Sequence, residues 1–147
     1  MSVVIDSSPA TRRLRSASVV GEVRATPRVS NPLRDDSPVI ELDACIDTGA
    51  VMLLLGRDVV DKLGVPIIGK AIVTLADESR QEMDKAGPLQ LTIGDRTDFF
   101  SCLVGPVGCE PLVGQLVLEA LDLVVDCGRQ ALRPRPDSPA YPSYKMK

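Results

Sequence analysis

Positions 89–104 read Leu89-Gln90-Leu91-Thr92-Ile93, then Gly94-Asp95-Arg96, then a second apolar-rich stretch over residues 97–104. Strict alternation of apolar and polar residues has the period of a β-strand, and the Gly-Asp pair marks a reversal of direction. The stretch predicts a hairpin with one face turned to a core, so the fold contains antiparallel sheet. The remainder of the 147-residue chain agrees with this, because its apolar residues, 44% of the total, are mainly Val, Leu and Ile. Those side chains suit a pleated, half-buried surface. A chain of this length supports one compact domain.

Three further paired segments extend the pattern. Residues 19–29 alternate up to Pro27, Asn31-Pro32-Leu33-Arg34-Asp35-Asp36 is rich in turn formers, and residues 37–46 return, becoming continuously apolar at Ala44-Cys45-Ile46. Residues 71–75 and 81–83 flank the polar turn Ala76-Asp77-Glu78-Ser79-Arg80, which predicts a second hairpin with an exposed tip. Residues 123–126 and 130–132 make a last short pair. Two short helices are predicted, one over residues 56–63 with Val59, Val60 and Leu63 on one face and Gly64 as its stop, the other over residues 115–121. The expected fold class is all-β with two short helices. Residues 1–18 read as a flexible extension, 19–133 as the domain, and 134–147 as an extended, proline-rich tail.

The chain has no histidine. This removes Ser-His-Asp and Cys-His nucleophilic catalysis and nearly every common catalytic zinc site. Aromatic residues are only 3% and the net charge is −3, which argues against a nucleic-acid partner; Arg12, Arg13 and Arg15 read as a solvated cluster. No segment has the apolar core of a secretory signal or the roughly 20 apolar residues of a membrane-spanning helix, so a cytoplasmic setting without membrane contact is expected. Cys45, Cys102, Cys109 and Cys127 lack a CxxC pair and read as buried free thiols. No cofactor and no metal are expected.

Water activation then falls to carboxylates. Asp47-Thr48-Gly49-Ala50 directly follows the apolar strand segment ending at Ile46, which places a carboxylate at the floor of the protein interior. Asp-Thr-Gly alone is also what a simple turn uses, with Asp capping and Gly free to take positive φ. One carboxylate cannot serve as base and acid together, whereas two that share a proton can deprotonate water and protonate a carbonyl oxygen. A second Asp-Thr-Gly or Asp-Ser-Gly is missing from the chain, so a second copy has to supply the other carboxylate, which implies a two-fold symmetric homodimer. Another grouping of carboxylates, Asp43, Asp47 and Asp126, could hold a metal. Asp126 reads more simply as opening a turn, and Asp58, Asp61, Glu119 and Asp122 as solvating helix surfaces or ends.

In order along the chain, the motif Ile46-Asp47-Thr48-Gly49-Ala50, the helix that follows it, a central hairpin, and Leu112-Val113-Gly114 before a second helix resemble the retropepsin-like aspartic peptidases, particularly their small bacterial members. The likeness spans roughly residues 19–132. It implies an acid-protease barrel with one lobe per chain, a homodimer, and a polypeptide substrate lying extended between the dimer floor and two flaps. Asp47 would be the catalytic residue, with Thr48, Gly49 and Ala50 lining the cleft. Leu75, Ala76, Asp77 and Glu78 would form the flap tip over the substrate. Leu112, Val113 and Gly114 would pass beneath the catalytic loop as its ψ-shaped support, and Leu53, Ile72 and Val113 would make the cleft walls apolar. The flap tip of such proteins is usually glycine-rich, whereas here Asp77 is followed by Glu78; Gln115-Leu116 stands where viral members carry an arginine that braces the dimer. The same fold would also serve as a peptide-binding or regulatory dimer without turnover, gripping an extended segment by strand addition.

Overall fold

The computed structural model describes residues 22–146. The extension expected over residues 1–18, its Arg12, Arg13 and Arg15, and the start of the first strand segment lie outside the described residues. The elements run β1 (Arg24–Ala25), β2 (Arg28–Ser30), β3 (Ile40–Glu41), β4 (Ala44–Ile46), β5 (Leu53–Gly56), α1 (Arg57–Leu63), β6 (Ile67–Thr74) and β7 (Arg80–Ile93). They continue with β8 (Arg96–Gly105), β9 (Leu112–Val113), α2 (Gln115–Leu121), β10 (Leu123–Asp126) and β11 (Ala131–Pro134). Nine strands form one sheet in the order β1-β4-β9-β5-β8-β7-β2-β3, with β6 attached to β7, and the sheet curls into a half-barrel; β10 and β11 pair separately. The fold is all-β with two short helices, as the alternation predicts.

The predicted hairpin over residues 89–104 is present, with Leu91 opposite Asp98 and Thr92 opposite Thr97. Leu89 and Leu91 are fully buried while Gln90 is only half-buried, so the apolar face of the alternation is the core face. Ile46, Leu55, Leu63 and Leu121 complete that core without measurable exposure. Each such side chain contributes about 1.5–3 kcal/mol by leaving water. The helices also end where glycine and geometry dictate: α1 stops at Gly64, which takes φ 68 and donates its N–H to the Val60 and Asp61 carbonyls.

Three expectations change. Residues 81–83 and 89–93, read as separate strands, are parts of the single fourteen-residue β7. Its register shifts between Ala86 and Leu89, and this irregularity takes up Gly87 and the proline at 88, which has no N–H to give to a ladder. The predicted first hairpin is present but broken into two ladders, β2 with β3 and β1 with β4, where Leu42 donates to the Pro27 carbonyl. The tail is not simply extended. Ser138 folds back to the Arg135 carbonyl at 2.8 Å, and Arg135, Ser138 and the Ser143 N–H all donate to the Asp122 carboxylate at the end of α2.

Candidate active site

The three residues of β4 are buried on both sides, and Ile46 donates its N–H to the Val23 carbonyl at 2.9 Å. The chain therefore leaves the core at Asp47 along a fixed direction. Ala50 N–H donates to the Asp47 carbonyl at 3.1 Å, and Gly49 N–H donates to Asp47 Oδ1 at 2.9 Å, so the carboxylate is held by its own tight loop. Asp47 is half-buried rather than sealed at the floor of the interior. Thr48 and Ala50 are likewise half-buried and Gly49 is exposed.

Residues 112–114 carry this loop. β9 lies between β4 and β5, parallel to the first through Cys45–Leu112 and Ile46–Val113 and antiparallel to the second through Leu54–Leu112. β4 and β5 are the two strands that the Asp47 loop connects, so a segment from far along the chain threads between consecutive strands and closes beneath their connection. The Asp47 N–H donates to the Val113 carbonyl at 3.0 Å. At Gly114 the chain passes so near the loop that a Cβ would meet the Met52 carbonyl oxygen at 2.6 Å and the Ala50 carbonyl oxygen at 2.7 Å. α2 has no side-chain cap; its first two N–H groups, of Gln115 and Leu116, donate instead to the Ala50 and Val51 carbonyls at 2.8 and 3.0 Å. Donors that every helix start leaves unpaired are thus used to hold the loop.

The expected flap is the hairpin of β6 and β7, with Leu75, Ala76, Asp77 and Glu78 in its turn. Leu75 and Ser79 close the turn at 2.8 Å, and the Ser79 N–H and hydroxyl both donate to Asp77 Oδ1 at 2.9 and 2.5 Å. These donors hold the Asp77 carboxyl below the usual range. Glu78 takes φ 67, the left-handed conformation that glycine adopts at least cost. Of the expected cleft walls, Ile72 is exposed on β6, but Leu53 and Val113 are 1% and 0% exposed. They are core residues on β5 and β9, two interior strands of the sheet. The large apolar side chains that do stand exposed beside the loop are Val51, at 64%, and Leu116, at 49%.

Asp43, Asp47 and Asp126 are not brought together as a metal site. Asp43 accepts from Arg24 Nε at 2.9 Å, while Asp126 opens the β10–β11 turn by accepting the Arg129 N–H and is bridged by Arg133. Among the described residues the three-ligand cluster is Glu22, Cys45 and Glu110. Arg24 already occupies its neighbourhood, donating to Glu22 at 3.3 Å and to Glu110 at 3.1 Å. Burial, followed by the charges of Glu22 and Glu110, pushes the Cys45 thiol up to about 12. Cys102 is also buried and pushed up to about 12, whereas Cys109 is half-buried and Cys127 is exposed at the β10–β11 turn, contrary to the expectation of four buried thiols.

Sequence reasoning missed three polar anchors. Arg96, read only as part of a turn, is 3% exposed and donates to the carbonyls of Leu121, Asp122 and Ser138. Asn31 is equally buried and donates from Nδ2 to the Leu63 carbonyl, tying the first loop to the end of α1. Asp84 on β7 is bridged by Arg57 at 3.0 Å. The contacts that anchor them, to Leu121, Leu63 and Arg57, span 25 or more residues, and no local pattern announces those. Neither protein-family models nor curated proteins match this sequence, so the site is read from its own geometry.

Proposed function

We propose that the chain is one protomer of a homodimeric aspartic endopeptidase of the retropepsin-like kind, with Asp47 of each copy supplying one catalytic carboxylate. The observation that carries this reading is β9 threaded between β4 and β5, with Gly114 against Ala50 and the start of α2 bonded to the loop carbonyls. Such a scaffold holds one carboxylate at a fixed place on a rigid floor, as a two-carboxylate mechanism requires. The exposed Val51 and Leu116 beside the loop offer apolar surface to a second copy.

In the proposed reaction one carboxylate, ionised, takes a proton from water as its oxygen adds to the peptide carbonyl carbon. The other, protonated, gives its proton to the carbonyl oxygen. Collapse of the tetrahedral intermediate returns a proton to the leaving nitrogen and breaks the C–N bond. The β6–β7 hairpin covers an extended polypeptide substrate in this scheme. A cytoplasmic setting belongs to the same proposal and rests on the sequence; among the described residues no helix is long and apolar enough to cross a membrane.

A second reading keeps the dimer as a peptide-binding or regulatory module without turnover. The charged tip, with Glu78 at positive φ and Asp77 knotted to Ser79, favours it, because that turn is stiffer than a glycine-rich one. Incubation of a mixed peptide library with the purified protein and with Asp47→Asn separates the two. Fragments from the wild type and none from the variant support the peptidase; an intact library that still shifts the protein in size supports the binder.

A further inference from the structure

The β6–β7 hairpin is joined to the body through a narrow root. Along β7 the pairing with β8 ends at Asp84, opposite Val104, and residues 80–83 pair only with β6. Among the described residues β6 has no other neighbour in the sheet. Everything beyond Asp84 is therefore a two-stranded ribbon, and its angle to the half-barrel is set at that residue. Two-stranded ribbons bend and twist more freely than wider sheets.

An ion-pair chain sits at that point. Arg57, the first residue of α1, reaches Asp84 Oδ2 at 3.0 Å; Lys70, directly across the ribbon from Asp84, lies 3.7 Å from Asp84 Oδ1 and 3.0 Å from Glu82 Oε1. Arg57 and Lys70 are thus both drawn to Asp84, one from the body and one from the ribbon. A cleft of about 340 Å³ opens beside them, lined by Arg57, Lys70, Asp84, Val104 and Val107 among others. Because α1 follows β5 without a break, Arg57 fixes the ribbon to the same unit that carries the Asp47 loop.

We propose that Arg57, Asp84 and Lys70 form an electrostatic clamp at the hinge of the β6–β7 hairpin, and that its strength sets how often the hairpin swings away from the body. The role of that motion in admitting a polypeptide rests on the peptidase reading; the clamp itself is read out without any substrate. Asp84 is the residue of the three that touches both cations, so neutralising it removes the link to Arg57 on the body and the Lys70 contact across the root, while Lys70 keeps Glu82. All three side chains are partly solvated, which makes the clamp weak enough to open thermally and sensitive to salt.

The test is hydrogen–deuterium exchange of the full chain, comparing peptides from residues 67–83 with peptides from residues 89–100 as an internal reference. Arg57→Met keeps the apolar stem and removes the charge; Asp84→Asn keeps the shape. Each is expected to raise exchange in residues 67–83 up to about fivefold, the range of a single partly exposed ion pair, and to leave residues 89–100 unchanged. Raising the salt concentration should reproduce the effect in the wild type and have little effect in the variants. The charge-swapped Arg57→Asp, Asp84→Arg protein should recover part of the protection. Unchanged exchange of the hairpin in both single variants, or a salt response equal in wild type and variants, overturns the clamp. If a single variant does not fold, the wild-type salt titration and the charge swap still decide it. Loss of clamp behaviour would leave Asp47-dependent cleavage untouched, and absence of cleavage would leave the exchange result standing.

Discussion

Gly114 lies directly against Ala50, so close that a Cβ on Gly114 would fall 2.7 Å from the Ala50 carbonyl oxygen and 2.6 Å from that of Met52. The backbone at Gly114 is extended, φ −94 and ψ −174, a conformation any residue adopts. The glycine is therefore required by the neighbouring loop and not by its own torsion angles. Gly114→Ala is expected to destabilise the fold by about 2 kcal/mol, since backbone atoms on both sides have to move. Urea unfolding measures this. On the proposed peptidase reading, cleavage should fall further than stability alone explains, because the displaced atoms belong to the Asp47 loop.

At the hairpin tip, Glu78 holds φ 67 with a full side chain. An L-residue there carries a backbone penalty of about 1 kcal/mol that glycine avoids. Glu78→Gly is expected to leave stability equal or slightly raised, and Glu78→Val to lower it by about 1 kcal/mol, as followed by thermal unfolding. A large loss on Glu78→Gly would show that the carboxylate, not the turn, matters at this position.

Among the described residues Arg96 is the buried cation. It closes three carbonyls at the end of α2 and in the tail, and its Nε has no hydrogen-bond partner among those residues. Arg96→Met removes these donors from buried and part-buried carbonyls, of which that of Asp122 keeps the Arg135 N–H, with an expected loss of about 2–4 kcal/mol. Limited proteolysis should then cut residues 135–146 more readily than in the wild type.

Much of the fold was legible because it follows local rules. The alternation of residues 89–93, the Gly64 stop and the helix after Gly114 are each encoded within a few neighbours, and all three stand in the structure. The Ala44-Cys45-Ile46 run was legible as a buried strand leading to Asp47, but the half-burial of Asp47 itself was not. The polar anchors were not. Arg96 and Asn31 take their meaning from carbonyls far away in sequence, and the proline-rich tail reads as extended although Asp122 gathers it with four donor contacts. Leu53 and Val113 were misplaced on a cleft wall because an apolar residue reads the same facing a cleft or the core; only the order of strands separates the two.

Asp122 makes the tail sensitive to acid. Hydrogen bonds from Arg135, then from Ser138 and the Ser143 N–H, hold its carboxyl well below the usual range. In the unfolded chain it takes up a proton near pH 4, while the native site resists it, so the unfolded state binds more protons as the solution is acidified. The stabilisation is complete above about pH 4 and is lost as pH falls through the lower native value. Unfolding midpoints from about pH 3 to about pH 7 should therefore drop more steeply for the wild type than for Asp122→Asn. Equal slopes would mean that the tail contacts do not survive in solution.

The proposed sharing of one site between two copies is tested most directly by mixing subunits. Wild type and Asp47→Asn are combined in equal amounts, exchanged through the monomer, and assayed for peptide cleavage at constant total protein. If each site needs Asp47 from both copies, random pairing leaves about one quarter of the wild-type rate, since only wild-type pairs are competent. A rate of about one half would mean that each chain acts alone and would contradict the account.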